Sequence, residues 1–331
     1  MIFLVIPAAR LQKRGAMEHL VSTVLFWPIL WLMAGLAILL LGGHLLVPAT
    51  VSLARHLRLP PQLIALLLVA GGTSAPELLV SAEAALSGSP AIAISNVAGS
   101  NMANMLLVLG LGAVLAPIAT HEAVSRRDML VMAGFTTLVF GFFMLTGSLP
   151  AFGAGLLLVL FVLYIGWVLK SDSAIEAEPD SPLRPAQSAT LLLVAVVSLI
   201  IGADLMVDGA VDLARQAGIS EAVIGMSIVA IGTSLPELAA VLASLLHRQS
   251  DLALANVIGS NIFNLAGVLG IAGLLAPLPA GPELTEFGLP AVAAITLLLG
   301  GYVLTGKPIG RKSGLVFIGL YLMFLFWTYV G

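Results

Sequence analysis

Long apolar stretches, each near the ~20 residues that cross a bilayer, follow one another along most of the chain, separated by short polar knots. Five come first, at about Leu20–Leu53, Pro61–Leu86, Ala91–Pro117, Met129–Leu145 and Pro150–Leu169. The pattern stops at residues 170–188, which hold Asp172, Glu176, Glu178 and Asp180 together with Pro179, Pro182 and Pro185. Such sequence makes an extended polar linker, and this one is too short to house a domain. Apolar sequence resumes at about Ala189–Ala214, Glu221–Leu246, Leu252–Pro277, Glu286–Leu304 and Gly314–Val330. The first apolar segment is interrupted by Gly42, Gly43 and Pro48. The reading is an all-α membrane protein of ten transmembrane helices: five at residues 20–169, the linker at 170–188, and five more at 189–331. Residues 1–19 read as a peripheral N-terminus. Their apolar run, Ile2–Ala9, is too short to span, and Arg10, Lys13 and Arg14 follow it, whereas a signal peptide places its charge first. Met17 offers an alternative start.

The two five-helix units share polar residues as well as hydropathy. G-T-S-A-P-E-L at Gly72–Leu78 returns as G-T-S-L-P-E-L at Gly232–Leu238. An N-V-x-G-S-N-x-x-N run at Asn96–Asn104 returns at Asn256–Asn264. The offset is 160 throughout, and residues 71–117 match 231–277 at 20 of 47 positions without a gap. The first span of each unit matches at the same offset: Gly42, Leu45, Val47, Val51, Leu53, Ala54 and Arg55 against Gly202, Leu205, Val207, Val211, Leu213, Ala214 and Arg215. A repeat of this kind constrains every later reading. Five spans is an odd number, so the second unit enters the membrane from the opposite side. The expected architecture is two inverted five-helix repeats, as in many secondary transporters that hold substrate at the midplane between repeats.

Composition narrows the class. The chain is 60% hydrophobic and 9% charged, against roughly 25% charge in soluble domains, so its solvent is lipid. A net charge of −3 without a basic patch gives no footing for nucleic acid. With no cysteine there is no thiol chemistry and no thiolate metal site. On one side of the ten-span topology lie ten basic residues: Arg55, Arg58, Arg126, Arg127, Lys170, Arg184, Arg248, Lys307, Arg311 and Lys312. The other side has four: Arg10, Lys13, Arg14 and Arg215. Cytoplasmic loops are the basic ones. That places the linker in the cytoplasm and both termini outside, in a multi-pass protein of the plasma (inner) membrane.

Candidate chemistry sits in the repeated motifs. Gly71, Gly72, Thr73, Ser74 and Pro76 crowd the middle of the second span, and Gly232, Thr233, Ser234 and Pro236 that of the seventh. Proline removes a donor and clashes with the carbonyl four residues back, so spans two and seven should each break into two half-helices. Carbonyls freed there need a partner other than lipid. Glu77 and Glu237 follow the breaks. A mid-span charge costs roughly 2.5–3.5 kcal/mol on insertion scales, and inverted symmetry brings the two together. Facing carboxylates repel. A divalent cation between them removes the repulsion, and sodium ions or protons compete for the same place. Ser100 and Asn104, like Ser260 and Asn264, are four residues apart and share a helix face. These neutral oxygens, with the two glutamates and the freed carbonyls, approach the roughly 6–8 oxygens that calcium takes. The motifs hold neither imidazole nor sulfur, which disfavours zinc and copper.

The paired G-T-S-x-P-E and G-S-N-x-x-N blocks resemble the alpha repeats of the cation/calcium exchanger superfamily, nearest to its bacterial sodium/calcium exchanger branch. The resemblance covers nearly the whole chain. It implies an antiporter rather than an enzyme, with calcium and sodium as its transported partners, no permanently bound cofactor and no obligate protein partner. It implies metal ligands at Glu77 and Glu237, hydroxyl or carbonyl oxygens from Thr73, Ser74, Thr233 and Ser234, and the remainder from Ser100, Asn104, Ser260 and Asn264. Reorientation by sliding of spans one and six is implied in the same way. In one respect the chain departs: some such exchangers carry an aspartate where Asn104 or Asn264 stands here.

A proton/calcium antiporter is the alternative within the class. An intramembrane enzyme would need a nucleophile–base pair or a catalytic metal, and a channel gains nothing from antiparallel halves. Other polar residues have plainer readings. Asn96 and Asn256 serve equally as helix–helix glue. Asp204, Asp208 and Asp212 read as a hydrated interfacial stripe, with an ion entrance as the alternative, Glu83 lies near a membrane edge, and His44, His121 and His247 are interfacial.

Overall fold

The computed structural model describes residues 8–120, 123–171, 183–218, 230–282 and 284–330. Helix α1 (Ala8–Leu57) runs unbroken through Pro28 and Pro48. The interruption expected at Gly42, Gly43 and Pro48 is absent, since a neighbouring helix shields a backbone that proline would expose in water. Next come α2 (Pro61–Thr73) and α3 (Ala75–Leu86), which meet at Ser74 with a 45° bend. There follow α4 (Pro90–Leu115), α5 (Ala123–Thr146), α6 (Ala151–Ser171) and α7 (Pro185–Gln216). A helical turn at Ala230–Gly232 precedes α8 (Leu235–Leu246), α9 (Ser250–Leu275), α10 (Leu284–Thr305) and α11 (Arg311–Val330). Among the described residues, seven helices are long and apolar enough to cross a membrane, and the bent α2–α3 pair makes an eighth. The first half of the expected seventh span, residues 221–229, lies outside the described residues, as do residues 172–182 of the linker.

The sequence offset governs the packing. Asn104 meets Asn261, and Asn264 meets Asn101. Ile118 bridges Ile309, while Leu149 of β1 (Ser148–Leu149) pairs with Leu278 of β2 (Leu278–Pro279). Adding or subtracting 160 turns each contact into its partner, which is the behaviour of a two-fold axis. Thr136 and Thr296, 160 apart, face each other at 3.5 Å. The direction of the axis follows from α1 and α7. Gly35 packs on Gly202, Gly42 on Ala195 and Leu199, and Gly209 on Pro28. Rising numbers on one helix meet falling numbers on the other, so these equivalent helices are antiparallel.

Two large apolar clusters hold the helices together. One apolar core joins residues of α2 to α6 and α8 to α11, including Met105, Phe143, Leu265 and Phe317. The long helices α1 and α7 contribute instead to a second cluster, in which Leu39, Leu46, Leu53, Leu192 and Leu199 join Ile64 and Val69 of α2 and Ala239 and Ala240 of α8. The outer surface is apolar, with Leu145 at 87% and Leu79 at 70% exposed. Buried inside are Thr73, Ser74, Glu77, Ser100, Asn104, Glu237, Ser260 and Asn264. This inverts the pattern of a water-soluble protein.

The basic loops gather at one end of the helices. Ile118 and Ile309 meet there, Thr120 donates to the Lys307 carbonyl, His56 bonds the Leu183 carbonyl, and Arg127 lies over Trp167. The β1–β2 pair marks the other end.

A methyl group added at Gly35 would stand 2.6 Å from the Gly202 carbonyl oxygen. Gly35→Ala is therefore expected to force α1 and α7 apart and lose roughly 1–3 kcal/mol, read as a lower unfolding temperature in detergent. Gly134→Ala on α5, where nothing lies within 4 Å, is the matched control and should leave the temperature unchanged.

Candidate cation site

The break between α2 and α3 is local chemistry. Pro76 cannot donate, so the helix re-forms only after Ser74, whose own N–H still bonds the Ala70 carbonyl at 3.0 Å. The second half repeats this at Ser234, whose N–H bonds Ile231 at 3.1 Å. Each break sets its glutamate in the first turn of the following helix, Glu77 on α3 and Glu237 on α8. An anion is favoured at that end of a helix. Both side chains are fully buried, and they lie near enough for their charges to repel.

Helices α4 and α9 supply the facing wall. Each carries a π-helical segment, Ala103–Val108 and Phe263–Val268, that begins one residue before Asn104 or Asn264. Such widened turns re-aim side chains and recur at functional sites. Ser100 lies beside Glu77, and Thr73 and Ser260 lie beside Glu237. The two amides are held crosswise: Asn104 Nδ2 donates to Asn261 Oδ1 at 3.2 Å, and Asn264 Nδ2 to Asn101 Oδ1 at 3.1 Å. With the nitrogen committed, each amide keeps its own Oδ1 free.

Both oxygens of Glu77 are buried without a hydrogen-bond partner, as are Glu237 Oε2, Asn104 Oδ1, Asn264 Oδ1, Ser234 Oγ and Ser260 Oγ. Buried polar atoms are seldom left so, and a cluster of orphaned oxygens asks for an ion. Hard oxygens in this number suit calcium or sodium. The structure thus brings Thr73, Ser74, Glu77, Ser100, Asn104, Ser234, Glu237, Ser260 and Asn264 into the buried interior. Thr233 lies at the break but is only partly buried. Among the described residues no group of three or more His, Asp or Glu side chains gathers to hold a metal, here or elsewhere.

Sequence reasoning assigned no role to Asn101 and Asn261, although both stand in the G-S-N-x-x-N motif. They orient the two amides. The two-fold relation also fails locally. Ser74 Oγ donates to Glu237 Oε1 at 2.9 Å, while the equivalent Ser234 Oγ has no partner. Asn96 donates to the Glu77 carbonyl at 3.1 Å and to Ser81 Oγ at 2.9 Å, and so acts as helix–helix glue. Asn256 has neither bond, and Val241 stands where Ser81 would offer it a hydroxyl. Asp204, Asp208 and Asp212 are exposed along α7, as an interfacial stripe requires, and Glu83 is exposed near the end of α3. His44 and His247 lie with ring centroids 5.8 Å apart, and His121 falls outside the described residues.

Comparison with known proteins extends this picture. The sequence model of the family described as Sodium/calcium exchanger protein matches residues 27–170 and again 187–330. The two matches start and end 160 residues apart, the offset of the repeat. The sodium/calcium exchanger MaX1 of Methanosarcina acetivorans is 31% identical over 337 residues, covering 89% of this chain and 96% of its own. The inner membrane protein YrbG of Escherichia coli is 32% identical over 312 residues, covering 90% and 95%. Among solved structures, the sodium-calcium exchanger NCX_Mj soaked with Na+ and Sr2+ superposes with a TM-score of 0.81 at 32% identity, over 90% of this chain and 97% of that one.

If the orphaned oxygens form a cation site, removing one charge has two opposite effects. Glu77→Gln should raise stability in cation-free buffer by roughly 1–3 kcal/mol, since an uncompensated buried charge is lost. It should also abolish the stabilisation of about 2.7 kcal/mol that a ligand at a hundredfold excess over its Kd confers. Thermal unfolding in detergent, with and without calcium, reads both effects.

Proposed function

The chain belongs to the sodium/calcium exchanger family, and within that family of cation/calcium antiporters we propose that it exchanges calcium for sodium by alternating access. It is a multi-pass membrane transporter, not an enzyme. The observation that carries the ion assignment is the cluster of unpartnered buried oxygens around two glutamates. We assign calcium to Glu77 and Glu237 as charged ligands. Ser100, Asn104, Ser260, Asn264, Thr73, Ser74, Thr233 and Ser234 complete the calcium and sodium positions through neutral oxygens. Sodium occupies overlapping oxygens, so the two ions exclude one another, which is the requirement for exchange rather than co-transport.

The proposed architecture is ten spans in two inverted five-helix repeats, with α2–α3 as one broken span and the helix ending in α8 as its counterpart. The antiparallel packing of α1 on α7 and the matched contacts at the 160 offset support it. In an inverted pair, exchanging the conformations of the halves turns an outward-facing site inward. The one-sided Ser74–Glu237 bond is the sort of asymmetry this exchange needs. Sliding of α1 and α7, which pack lengthwise against each other, supplies the motion. Ten basic residues at one end orient that end to the cytoplasm of a cell whose plasma or inner membrane holds the protein.

A second reading replaces sodium with protons, which two carboxylates can also accept. Purified protein in liposomes separates the two. Calcium uptake driven by an outward sodium gradient at clamped pH is the expected result, lost in Glu77→Gln and in Glu237→Gln. Uptake that needs an outward proton gradient and ignores sodium would select the second reading, and silence under both would overturn calcium antiport. Asn261→Ala, which frees the Asn104 amide to turn, should weaken calcium roughly 10-fold while leaving both carboxylates in place, as loss of an orienting partner does at other metal sites. Calcium titration of the uptake rate measures it.

A further inference from the structure

Two histidines meet across the contact between α1 and α8, at the end of α8 rather than at its break. Gly43 of α1 lets the helices close: a methyl group there would stand 3.1 Å from the Ala243 Cβ on α8. One residue further on α1, and one turn further on α8, His44 and His247 come together with ring centroids 5.8 Å apart and planes at 43°. His44 is exposed, and His247 is half-buried beside the exposed Arg248 and Gln249. That end of α8 is fixed. The Arg248 N–H bonds the Leu245 carbonyl at 2.9 Å, and the Gln249 N–H bonds that of Ser244 at 2.8 Å.

The His247 ring is set as a metal ligand. Its Nδ1 lies 2.9 Å from the Ala243 carbonyl oxygen. A carbonyl only accepts, so Nδ1 carries the proton and Nε2 carries the lone pair. A ring N–H bonded to a backbone carbonyl is the support that metal-binding imidazoles use, since it fixes tautomer and orientation together. The spacing also fits. Metal–nitrogen bonds of about 2.0–2.1 Å put each ring centroid roughly 3.2 Å from a shared ion, so a tetrahedral pair has its centroids about 5.3 Å apart. The observed 5.8 Å is wider by an amount that small side-chain rotations remove.

Ligand chemistry separates this place from the cation site. Imidazole suits zinc, nickel and copper, whereas calcium takes the hard oxygens found around the glutamates. Two imidazoles fill two positions and leave the rest to water, which makes a reversible site rather than a structural one. We propose that His44 and His247 bind a divalent transition-metal ion, nickel, zinc or copper, and that this ion staples α1 to α8 and inhibits transport. The inhibitory half rests on the reading that α1 slides during the cycle; the binding half does not. The pair has no counterpart across the two-fold, where the equivalent positions hold Asp204 and Ser87. The staple therefore acts in one half of the molecule.

The first test is binding to tag-free protein in detergent, with Cu2+ followed by electron paramagnetic resonance and Ni2+ by calorimetry. The expected spectrum shows nitrogen couplings from two imidazoles and is unchanged by excess calcium. His44→Ala and His247→Ala should each weaken binding more than about 10-fold, since even a supporting partner is worth about 10–100-fold at a metal site. His44→Gln replaces the first variant should alanine loosen the helix contact. Glu77→Gln should bind as the wild type does. A spectrum without the imidazole pair, or binding that survives both histidine substitutions, would overturn the site. The second test is calcium transport in proteoliposomes. Ni2+ should slow the wild-type protein and neither histidine variant, and the metal-free rates of all three should agree. Transport unslowed with Ni2+ bound, or slowed equally in the variants, would overturn the staple. No calcium transport even without metal would overturn the antiport reading and the inhibitory half with it, while the binding half is decided by the spectra alone.

Discussion

Two carboxylates buried without a counter-charge set the terms for the rest of the structure. Each is unfavourable alone in apolar protein, and together they repel. Among the described residues no basic side chain is buried that could neutralise Glu77 or Glu237, and on the proposed reading mobile cations from the water complete the arrangement. The helix breaks are part of the same economy. By ending α2 at Thr73 and starting α3 at Ala75, the chain aims the positive end of a helix at Glu77, and α8 does so for Glu237.

The two-fold relation explains why the same devices appear twice, and its failures show what the halves can do differently. Contacts in the middle and at both ends of the helices obey the exchange: Asn104 with Asn261 and Asn264 with Asn101, Ile118 with Ile309 and Leu149 with Leu278. Contacts at the breaks do not. Ser74 reaches Glu237, whereas Ser234 has no hydrogen-bond partner; Gly72 faces Val196 on α7, while Gly232 faces Val207 on that same helix. The symmetric part is the scaffold. The asymmetric part lies where α7 passes the breaks, and that is where one sequence has two near-equivalent packings available.

Much of this was legible in the sequence because the informative residues are expensive. Glycine, proline and glutamate in mid-span have few bland uses in lipid, so their duplication at an offset of 160 exposed the breaks and set Glu77 and Glu237 at equivalent places just after them. Less was legible where geometry depends on a single widened turn or on a distant partner. The continuity of α1 through Pro48 is set by α7 packed along it, which local propensity does not report. The π-turns at Ala103 and Phe263 leave no mark in residue type, so the expected alignment of Ser100 with Asn104 on one regular helical face missed them. The functions of Asn101 and Asn261 required knowing that α4 crosses α9 antiparallel. The loss of Asn256's side-chain partner, by contrast, was written in plain view as Val241 opposite Ser81.

The crossed amides repay a closer argument, because an asparagine is an ambiguous ligand. Its side chain ends in an acceptor and a donor of similar size, and a free amide facing a cation site could turn its NH2 inward and oppose binding. Asn261 Oδ1 removes that choice for Asn104, and Asn101 Oδ1 removes it for Asn264. The lock has a cost of its own: Asn261 Nδ2 is left buried without a partner. An unsatisfied donor of this kind is worth roughly 1–3 kcal/mol of lost stability, and a site whose only task was to fold well would not keep it. A carboxylate at position 104 or 264 would need no such lock, since both its oxygens accept. In this chain both positions hold amides, each fixed by a second amide, so each turns one carbonyl oxygen away from its bonded nitrogen.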